Sequence, residues 1–135
     1  MITSRFENVD KLIAVLDACQ TDCELTLSFN WPLENFDVTK EENTKARVLS
    51  NFADKDWTFL ITAHSKNKFL SVLADTLNDG DFCHYYIKAE GKEIGKGYDN
   101  FEINFFDPDY FNLTKNTRLR LGDSYIQLKK EIEKD

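Results

Sequence analysis

Three cysteines and two histidines are the side chains of this sequence best suited to bind a metal or to act in catalysis. They are Cys19, Cys23, Cys83, His64 and His84. In zinc ribbons and fingers the four donors come in close pairs from both halves of the motif, and that spacing is missing here. Cys83 and His84 are adjacent on a predicted strand, so they point to opposite faces and do not form a nucleophile–base pair. We therefore expect no metal, no cofactor and no catalytic residue.

His64 lies between a predicted strand and a predicted helix, a place where α/β proteins often bind ligands. With Ser65 and the first helix amides it would suit a small anion. Ser65 is also a good helix cap, and we favour that role for it. A small enzyme with a site at the sheet edge near His64, His84 and Asp81 stays open as an alternative function. A non-catalytic ligand-binding or regulatory module is the other alternative.

The most unusual stretch of the chain runs from Tyr98 to Phe111, where acidic and aromatic residues are interleaved. The acids are Asp99, Glu102, Asp107 and Asp109, and the aromatic residues are Tyr98, Phe101, Phe105, Phe106, Tyr110 and Phe111. Interfaces are enriched in aromatic anchors, and opposite charge steers a partner to its site. The stretch therefore predicts a partner-binding surface made of Tyr98, Asp99, Glu102, Asp107, Asp109 and Tyr110. Burial of the aromatic residues on both sides of a strand is the other interpretation.

The charge of the chain narrows the kind of partner. Twenty-four acidic residues against 17 basic ones give the 135 residues a net charge of −7. Nucleic acid and anionic membranes attract clustered positive charge, so we expect neither as a partner. A basic protein is the better match. A second acidic stretch, Asp17 to Glu42, is the alternative binding surface.

The chain has the sequence features of a cytoplasmic protein with a single globular domain, residues 1–135. Its length lies within the usual range of about 100–200 residues per domain. Residues 1–16 lack a basic region followed by an apolar run, and no stretch reaches about 18 consecutive apolar residues. We therefore expect neither a signal peptide nor a membrane span. An odd number of cysteines suits a reducing compartment, with all three thiols reduced.

Capping signals and helical spacing of apolar residues predict three helices. Capping boxes at Ser4–Glu7 and Thr39–Glu42 begin helices over residues 5–19 and from residue 39 to about Ala53. Ser65 begins the third. The chain end is ambiguous: we favour a strand at 117–121 followed by a C-terminal helix, and a hairpin is the alternative.

Alternating and apolar runs predict the strands. Strict alternation indicates a half-buried strand over Glu24–Asn30, and the run Trp57–Ala63 predicts a central strand buried on both faces. The expected core residues of that run are Trp57, Phe59 and Ile61. A strand over 82–89 turns at Glu90-Gly91-Lys92 and returns over 93–106. The fold class is α+β (mixed α/β), with a sheet of about five strands, an antiparallel component and three to four helices.

In general character the sequence resembles bacterial immunity proteins, which neutralise a cognate nuclease toxin of the contact-dependent inhibition or colicin type. The shared features are small size, acidity, many aromatic residues and no catalytic constellation. The resemblance implies a partner that is a nuclease toxin domain, with an acidic face of this protein covering the cationic active site. It assigns no role to any single residue.

Overall fold

Seven strands form one sheet in the part of the chain that the structure describes, residues 7–33, 37–98 and 100–129 of a computed structural model. The helices are α1 (Glu7–Ala18), α2 (Glu41–Thr44), α3 (Lys66–Thr76) and α4 (Lys115–Leu121). The strands are β1 (Cys23–Phe29), β2 (Arg47–Phe52), β3 (Asp56–Ile61), β4 (Phe82–Ala89), β5 (Lys92–Tyr98), β6 (Ile103–Phe106) and β7 (Tyr125–Leu128). The class is α+β as predicted, but the sheet has more strands than the five expected.

The strands lie in the order β2-β3-β1-β4-β5-β6-β7. Every neighbouring pair is antiparallel except β6 and β7, which are parallel. β1 is therefore an inner strand, paired with β3 on one side and β4 on the other: Leu25 lies opposite Phe59 and also opposite Ile87. All three of these side chains are fully buried. They form one continuous apolar row across the middle of the sheet.

The helices cover one face of the sheet. Along β1 every second residue is buried, beginning with Cys23, and the residues between them are half-buried or exposed. The buried positions join Leu12 and Leu16 of α1, Phe69 of α3 and Leu121 of α4 in one core. A strand exposes alternate side chains to opposite faces, so this pattern means that helices pack on one face only.

The first helix, the helix after Ser65 and the turn after β4 were predicted correctly. The predicted helix over 5–19 is α1 in its described part, and its capping box includes Ser4, which lies outside the described residues. The helix begun by Ser65 is α3, although the Ser65 hydroxyl accepts the amide of Thr62 at 3.0 Å instead of a helix amide. Glu90 and Gly91 turn β4 into β5 with positive φ angles of 53° and 80°.

The helix predicted to extend to Ala53 is wrong beyond its first turn. α2 ends at Thr44, because Lys45 takes a left-handed conformation with φ of 62°. The following residues form β2, the edge strand that pairs with β3. Leu49 and Phe52, which a helix extending to Ala53 would bury, are exposed, and Phe52 is 75 % exposed. A short apolar run fits a helix or a strand equally well, and here the unpaired edge of β3 decided between them.

The strand predicted at 117–121 and the helix predicted after it are also wrong, with the two types exchanged. α4 occupies the first segment, because the Thr114 hydroxyl accepts the Thr117 amide at 3.1 Å and caps a helix. The second segment is β7 up to Leu128, and residues 130–134 of the predicted helix lie outside the described residues. The predicted return strand over 93–106 is divided into β5 and β6 by a turn with positive φ at Asn100 and Phe101.

β3 is buried on one face only. Trp57, Phe59 and Ile61 are in the core as predicted, with 9 %, 0 % and 2 % of their surface exposed. Thr58 and Leu60 point to the other face and are half-buried. That face is the one no described helix covers, so the expected two-sided burial does not occur.

Candidate functional site

The face of the sheet opposite the helices, called the open face below, carries a group of aromatic and apolar side chains. This group, called the aromatic patch, consists of His84, Tyr86, Tyr98, Ile103, Phe105 and Tyr125, and Lys96 lies within it. The strand register places them side by side: Tyr86 lies opposite Lys96, Lys96 opposite Phe105, and Ile103 opposite both Tyr98 and Tyr125. Directly paired residues share a face of a sheet. Four neighbouring strands, β4 to β7, therefore build the patch.

The rings of the aromatic patch contact each other edge to face. The Tyr98 ring lies 5.6 Å from the His84 ring and 5.8 Å from the Tyr86 ring, with interplanar angles of 70° and 72°. Such pairs are stabilised beyond their buried area. Tyr98 is thus the centre of a small ring cluster, with His84 and Tyr86 as its neighbours.

Lys96 is held among these rings. Its ammonium lies 5.6 Å from the Phe105 ring centroid and 5.8 Å from that of Tyr98. The same ammonium forms an ion pair with Glu93 at 3.5 Å, and the Lys96 side chain is only 13 % exposed. Cation–π contacts and the ion pair balance the charge and hold the long side chain in place. The positive charge in the patch is therefore largely neutralised within the protein.

Burial raises the pKa of Tyr86, and the neighbouring Tyr98 and Asp56 add to the increase. The phenol is therefore neutral at physiological pH and able both to donate and to accept a hydrogen bond. Ile103 and Tyr125 at the rim are 36 % and 57 % exposed. Exposed apolar and aromatic groups gathered in one place mark interaction surfaces on soluble proteins. The patch has that character at its rim, while His84, Tyr86, Tyr98 and Phe105 are half-buried.

The remainder of the open face is polar. The hydroxyls of Thr26 and Thr58 hydrogen-bond across strands β1 and β3 at 2.8 Å. Glu24 and Lys88, opposite each other on β1 and β4, are exposed. Glu102 is exposed beside the patch, and its carbonyl accepts the Tyr125 amide at 3.0 Å. An aromatic centre with a polar rim is the usual layout of a protein–protein interface.

The six residues predicted as a binding surface do not form one patch. Tyr98 belongs to the aromatic patch and Glu102 lies beside it, while Asp99 is outside the described residues. Asp109 and Tyr110 lie at the opposite end of β5 and β6, beside the hairpin of Glu90 and Lys92. A seven-residue strand such as β5 is about 20 Å long. That length separates the two groups.

Asp107 does not face a partner as predicted, because its carboxylate is buried. The residue is 1 % exposed, and its carboxylate accepts the Asp109 amide at 2.9 Å. Lys92 lies 3.8 Å away and offsets the charge. Asp107 therefore holds the turn after β6. Tyr110 is half-buried and donates its hydroxyl to Glu90 at 3.0 Å; that hydrogen bond is the main reason that its pKa is raised.

The second acidic stretch, Asp17 to Glu42, is spread over several sides of the molecule. Asp17 on α1 lies 3.6 Å from Arg120 on α4, on the helical side. Glu24 points to the open face. Glu41 accepts the Val48 amide at 2.6 Å, next to the edge strand β2. Asp17 and Glu41 thus make separate local contacts on different sides of the molecule from Glu24, and Glu34 lies outside the described residues.

The residues of the alternative enzyme site lie apart. His64 follows β3, whose last residue, Ile61, is opposite Cys23, whereas His84 is opposite Ser28. Five residues of β1 separate these two positions, about 17 Å. Asp81 is 6 % exposed, and its carboxylate accepts the Asn78 amide at 2.8 Å. Among the described residues no three cysteine, histidine or acidic side chains gather as metal ligands.

Sequence reasoning missed most of the aromatic patch. It named Tyr98 but not Tyr86, Ile103 or Tyr125, and it considered His84 only as a metal ligand or a base. One signal was available: His84, Tyr86 and Lys88 alternate with Tyr85, Ile87 and Ala89, which indicates a strand with Tyr86 on the same face as the polar His84 and Lys88. The local sequence pattern does not predict the strand order, which places β4 beside β5 and then β6 and β7.

No helix of the described ranges is long and apolar enough to cross a membrane. Comparisons of the chain with protein-family models, with curated protein sequences and with solved structures returned no match.

Proposed function

We propose that this protein is a cytoplasmic protein-binding inhibitor of the immunity type, and that it binds a basic partner through the open face of its sheet. The observation that carries the proposal is the aromatic patch, with Tyr98 packed between His84 and Tyr86 and with Lys96 neutralised beside it. Tyrosine and its aromatic neighbours dominate the binding energy of many interfaces. Rings that already pack against each other lose little freedom when a partner binds.

The patch suits a basic partner in particular. The faces of tyrosine rings attract arginine and lysine side chains of a partner. Two acids flank the patch: exposed Glu102 on one side and Asp56, opposite Ser28, on the other. The net charge of −7 attracts a basic protein from a distance. The resemblance to immunity proteins adds the kind of partner, a nuclease toxin domain with a cationic active site.

Single-stranded nucleic acid is the competing ligand for such a face, because bases stack on exposed aromatic rings. Proteins that bind single-stranded nucleic acid also need a positively charged groove for the phosphates. Here Glu24, Asp56 and Glu93 offset Arg47, Lys88 and Lys96 on the open face. A protein partner is therefore the better match.

The proposal predicts that the gene directly before this one encodes a nuclease toxin. The test measures binding to the nuclease domain of that toxin by surface plasmon resonance at several salt concentrations. Tyr86→Ala and Tyr98→Ala should weaken binding about tenfold or more, mainly through faster dissociation. Tyr110→Ala is the matched control, because it removes a half-buried tyrosine at the far end of β5. It should change the affinity less than about twofold. Circular dichroism melts of each variant verify folding.

Three results would contradict the proposal. Loss of binding in Tyr110→Ala with none in Tyr86→Ala would place the interface at the 107–110 turn. Binding of a single-stranded oligonucleotide that competes with the nuclease would favour a nucleic-acid function. A nuclease activity unchanged by a saturating excess of this protein would remove the inhibitor role.

A further inference from the structure

Two cysteines come together where α1 meets β1. Cys19 follows the last residue of α1 and Cys23 is the first residue of β1. Both are nearly buried, with 3 % and 4 % of their surface exposed, and both are free thiols. Both side chains line one pocket, where the Cys19 thiol donates to the Thr21 carbonyl at 3.6 Å. Two cysteines four residues apart that share one small pocket can close to a disulfide by side-chain rotation.

A pocket of about 150 Å³ opens onto this pair of thiols. Besides the two cysteines, its lining includes Leu16 of α1, Ile61 of β3 and Lys66 of α3. The Lys66 ammonium donates to the Cys19 carbonyl at 2.8 Å, so it is fixed next to the thiols. The volume is enough for several atoms of a small solute. The dithiol is therefore buried without being closed off.

The surroundings divide the two thiols into a nucleophile and a proton-bearing partner. The neighbouring Cys23 thiol and then the positive charge of Lys66 lower the pKa of Cys19 to about 7 against the effects of burial and Asp22. The neighbouring Cys19 and burial raise the pKa of Cys23 far above its ordinary value. In reactive dithiols one sulfur is a thiolate at neutral pH and the other resolves the first product.

We propose that Cys19 and Cys23 form a peroxide-reactive dithiol that closes to a reversible disulfide. The pocket admits the peroxide, Cys19 is the attacking sulfur and Cys23 the resolving one. Lys66 is a positioning residue, because its ammonium is bound to the Cys19 carbonyl and lines the same pocket as the two thiols. The resting protein keeps both thiols reduced.

The reaction balances with a hydroperoxide as the oxidant. The Cys19 thiolate attacks one peroxide oxygen, an S–O bond forms and the O–O bond breaks, which leaves a sulfenic acid and hydroxide that takes up a proton. The Cys23 thiol then loses its proton, and its sulfur attacks the Cys19 sulfur. An S–S bond forms, the S–O bond breaks, and the oxygen leaves as water. Two thiols are oxidised, and one hydrogen peroxide is reduced to two waters.

Cys83 provides an internal control within the same chain. It lies on β4 near Ser28, with its sulfur 3.8 Å from the Ser28 carbonyl. Cys23 is five residues away along β1, about 17 Å. Cys83 is therefore too distant to form a disulfide with either member of the pair. It is also more exposed than they are, so a general reaction with exposed thiols would modify Cys83 first.

The test treats the reduced full-length protein with a small excess of hydrogen peroxide, then alkylates it under denaturing conditions and digests it with trypsin. Residues 12–40 form one peptide that contains Cys19 and Cys23, and residues 69–88 form another that contains Cys83. We expect the first peptide to lose both alkylation sites and about 2 Da, the mass of two hydrogens, while the second stays alkylated. Dithiothreitol should reverse the change. The rate should be half-maximal near pH 7, where Cys19 titrates.

Two variants assign the roles. Cys23→Ser should form no disulfide and should accumulate a Cys19 sulfenic acid that dimedone traps. Lys66→Met should move the midpoint of the rate to higher pH, because a positive charge beside the thiolate is lost. Oxidation of Cys83 before the pair would overturn the proposal, and so would stable sulfinic acid at Cys19 without a disulfide. The wild-type result is decisive even if a variant does not fold.

Discussion

Gly97 is the position where one added methyl group should disturb the protein most. In Gly97→Ala the new Cβ would overlap Cε1 of Tyr85 and lie 2.6 Å from both Cζ of Tyr85 and Oδ1 of Asn104. Ordinary contacts between carbon atoms are about 3.5–4.0 Å long. Tyr85 is 1 % exposed and stacks on Phe101 with ring centroids 4.9 Å apart, so it has no room to move.

The expected loss of unfolding free energy follows from two effects. Overpacking a filled core destabilises by about 1–3 kcal/mol. Movement of Tyr85 would also break the hydrogen bond from its hydroxyl to Asn104, which is 2.7 Å long, and would leave buried polar groups unpaired, for about 1–3 kcal/mol more. Alanine restricts the unfolded chain more than glycine does, which raises the free energy of unfolding by about 0.4–1 kcal/mol. We expect Gly97→Ala to lose about 2–5 kcal/mol of stability.

Equilibrium urea unfolding followed by circular dichroism measures this difference, with Gly80→Ala as the matched control. Gly80 is exposed, and a Cβ there would meet only the Trp31 ring, at an ordinary 3.8 Å. The control should be within about 0.5 kcal/mol of the wild type or slightly more stable. Equal midpoints and equal slopes for the two variants would refute the placement of β5 against Tyr85 and Asn104.

Two further predictions concern the core. Ile61→Ala should lose about 2–5 kcal/mol in the same urea assay, because a side chain 2 % exposed is replaced by a cavity; an unchanged midpoint would mean that β3 is misplaced. Burial raises the pKa of Tyr85 well above 10, so the folded protein keeps a proton that the unfolded chain releases near pH 10. The stability from Tyr85 is therefore complete below pH 10 and falls by about 1.4 kcal/mol per pH unit above it. Tyr85→Phe should show a shallower decline between pH 10 and 11.5, and parallel declines for both proteins would contradict a buried, neutral Tyr85.

Elements with a clear period and agreeing end signals were predictable from the sequence. The helical spacing of α1 and α3 and the strict alternation of β1 leave one arrangement that buries the apolar side. The same is true of Trp57, Phe59 and Ile61 on β3, whose burial needed no knowledge of the neighbouring strands. These features depend on the local chain and on the general requirement to bury apolar surface.

Elements whose type depended on a distant partner were not predictable in the same way. The box at Thr39–Glu42 does precede a helical turn, but the residues after it pair with the edge of β3 and become β2. The segment at Tyr125–Leu128 is a strand because it lies parallel to β6, more than 20 positions earlier in the chain. Short segments have too little intrinsic preference to resist such pairing.

The aromatic patch and the Cys19–Cys23 pair were likewise predictable only in part. The sequence alone determined that acidic and aromatic residues are concentrated after Tyr98, and that Cys19 and Cys23 are only four positions apart. Tertiary structure decided what those groups do. Strand alternation sent Tyr98 to the open face, and buried Asp107 was used for a turn. The strand order brought Tyr86 and Tyr125 to Tyr98 and its neighbours, and the packing of α3 brought Lys66 to the thiols. Side-chain chemistry is local, but the contacts that give it a use come from chain segments that meet only in the folded protein.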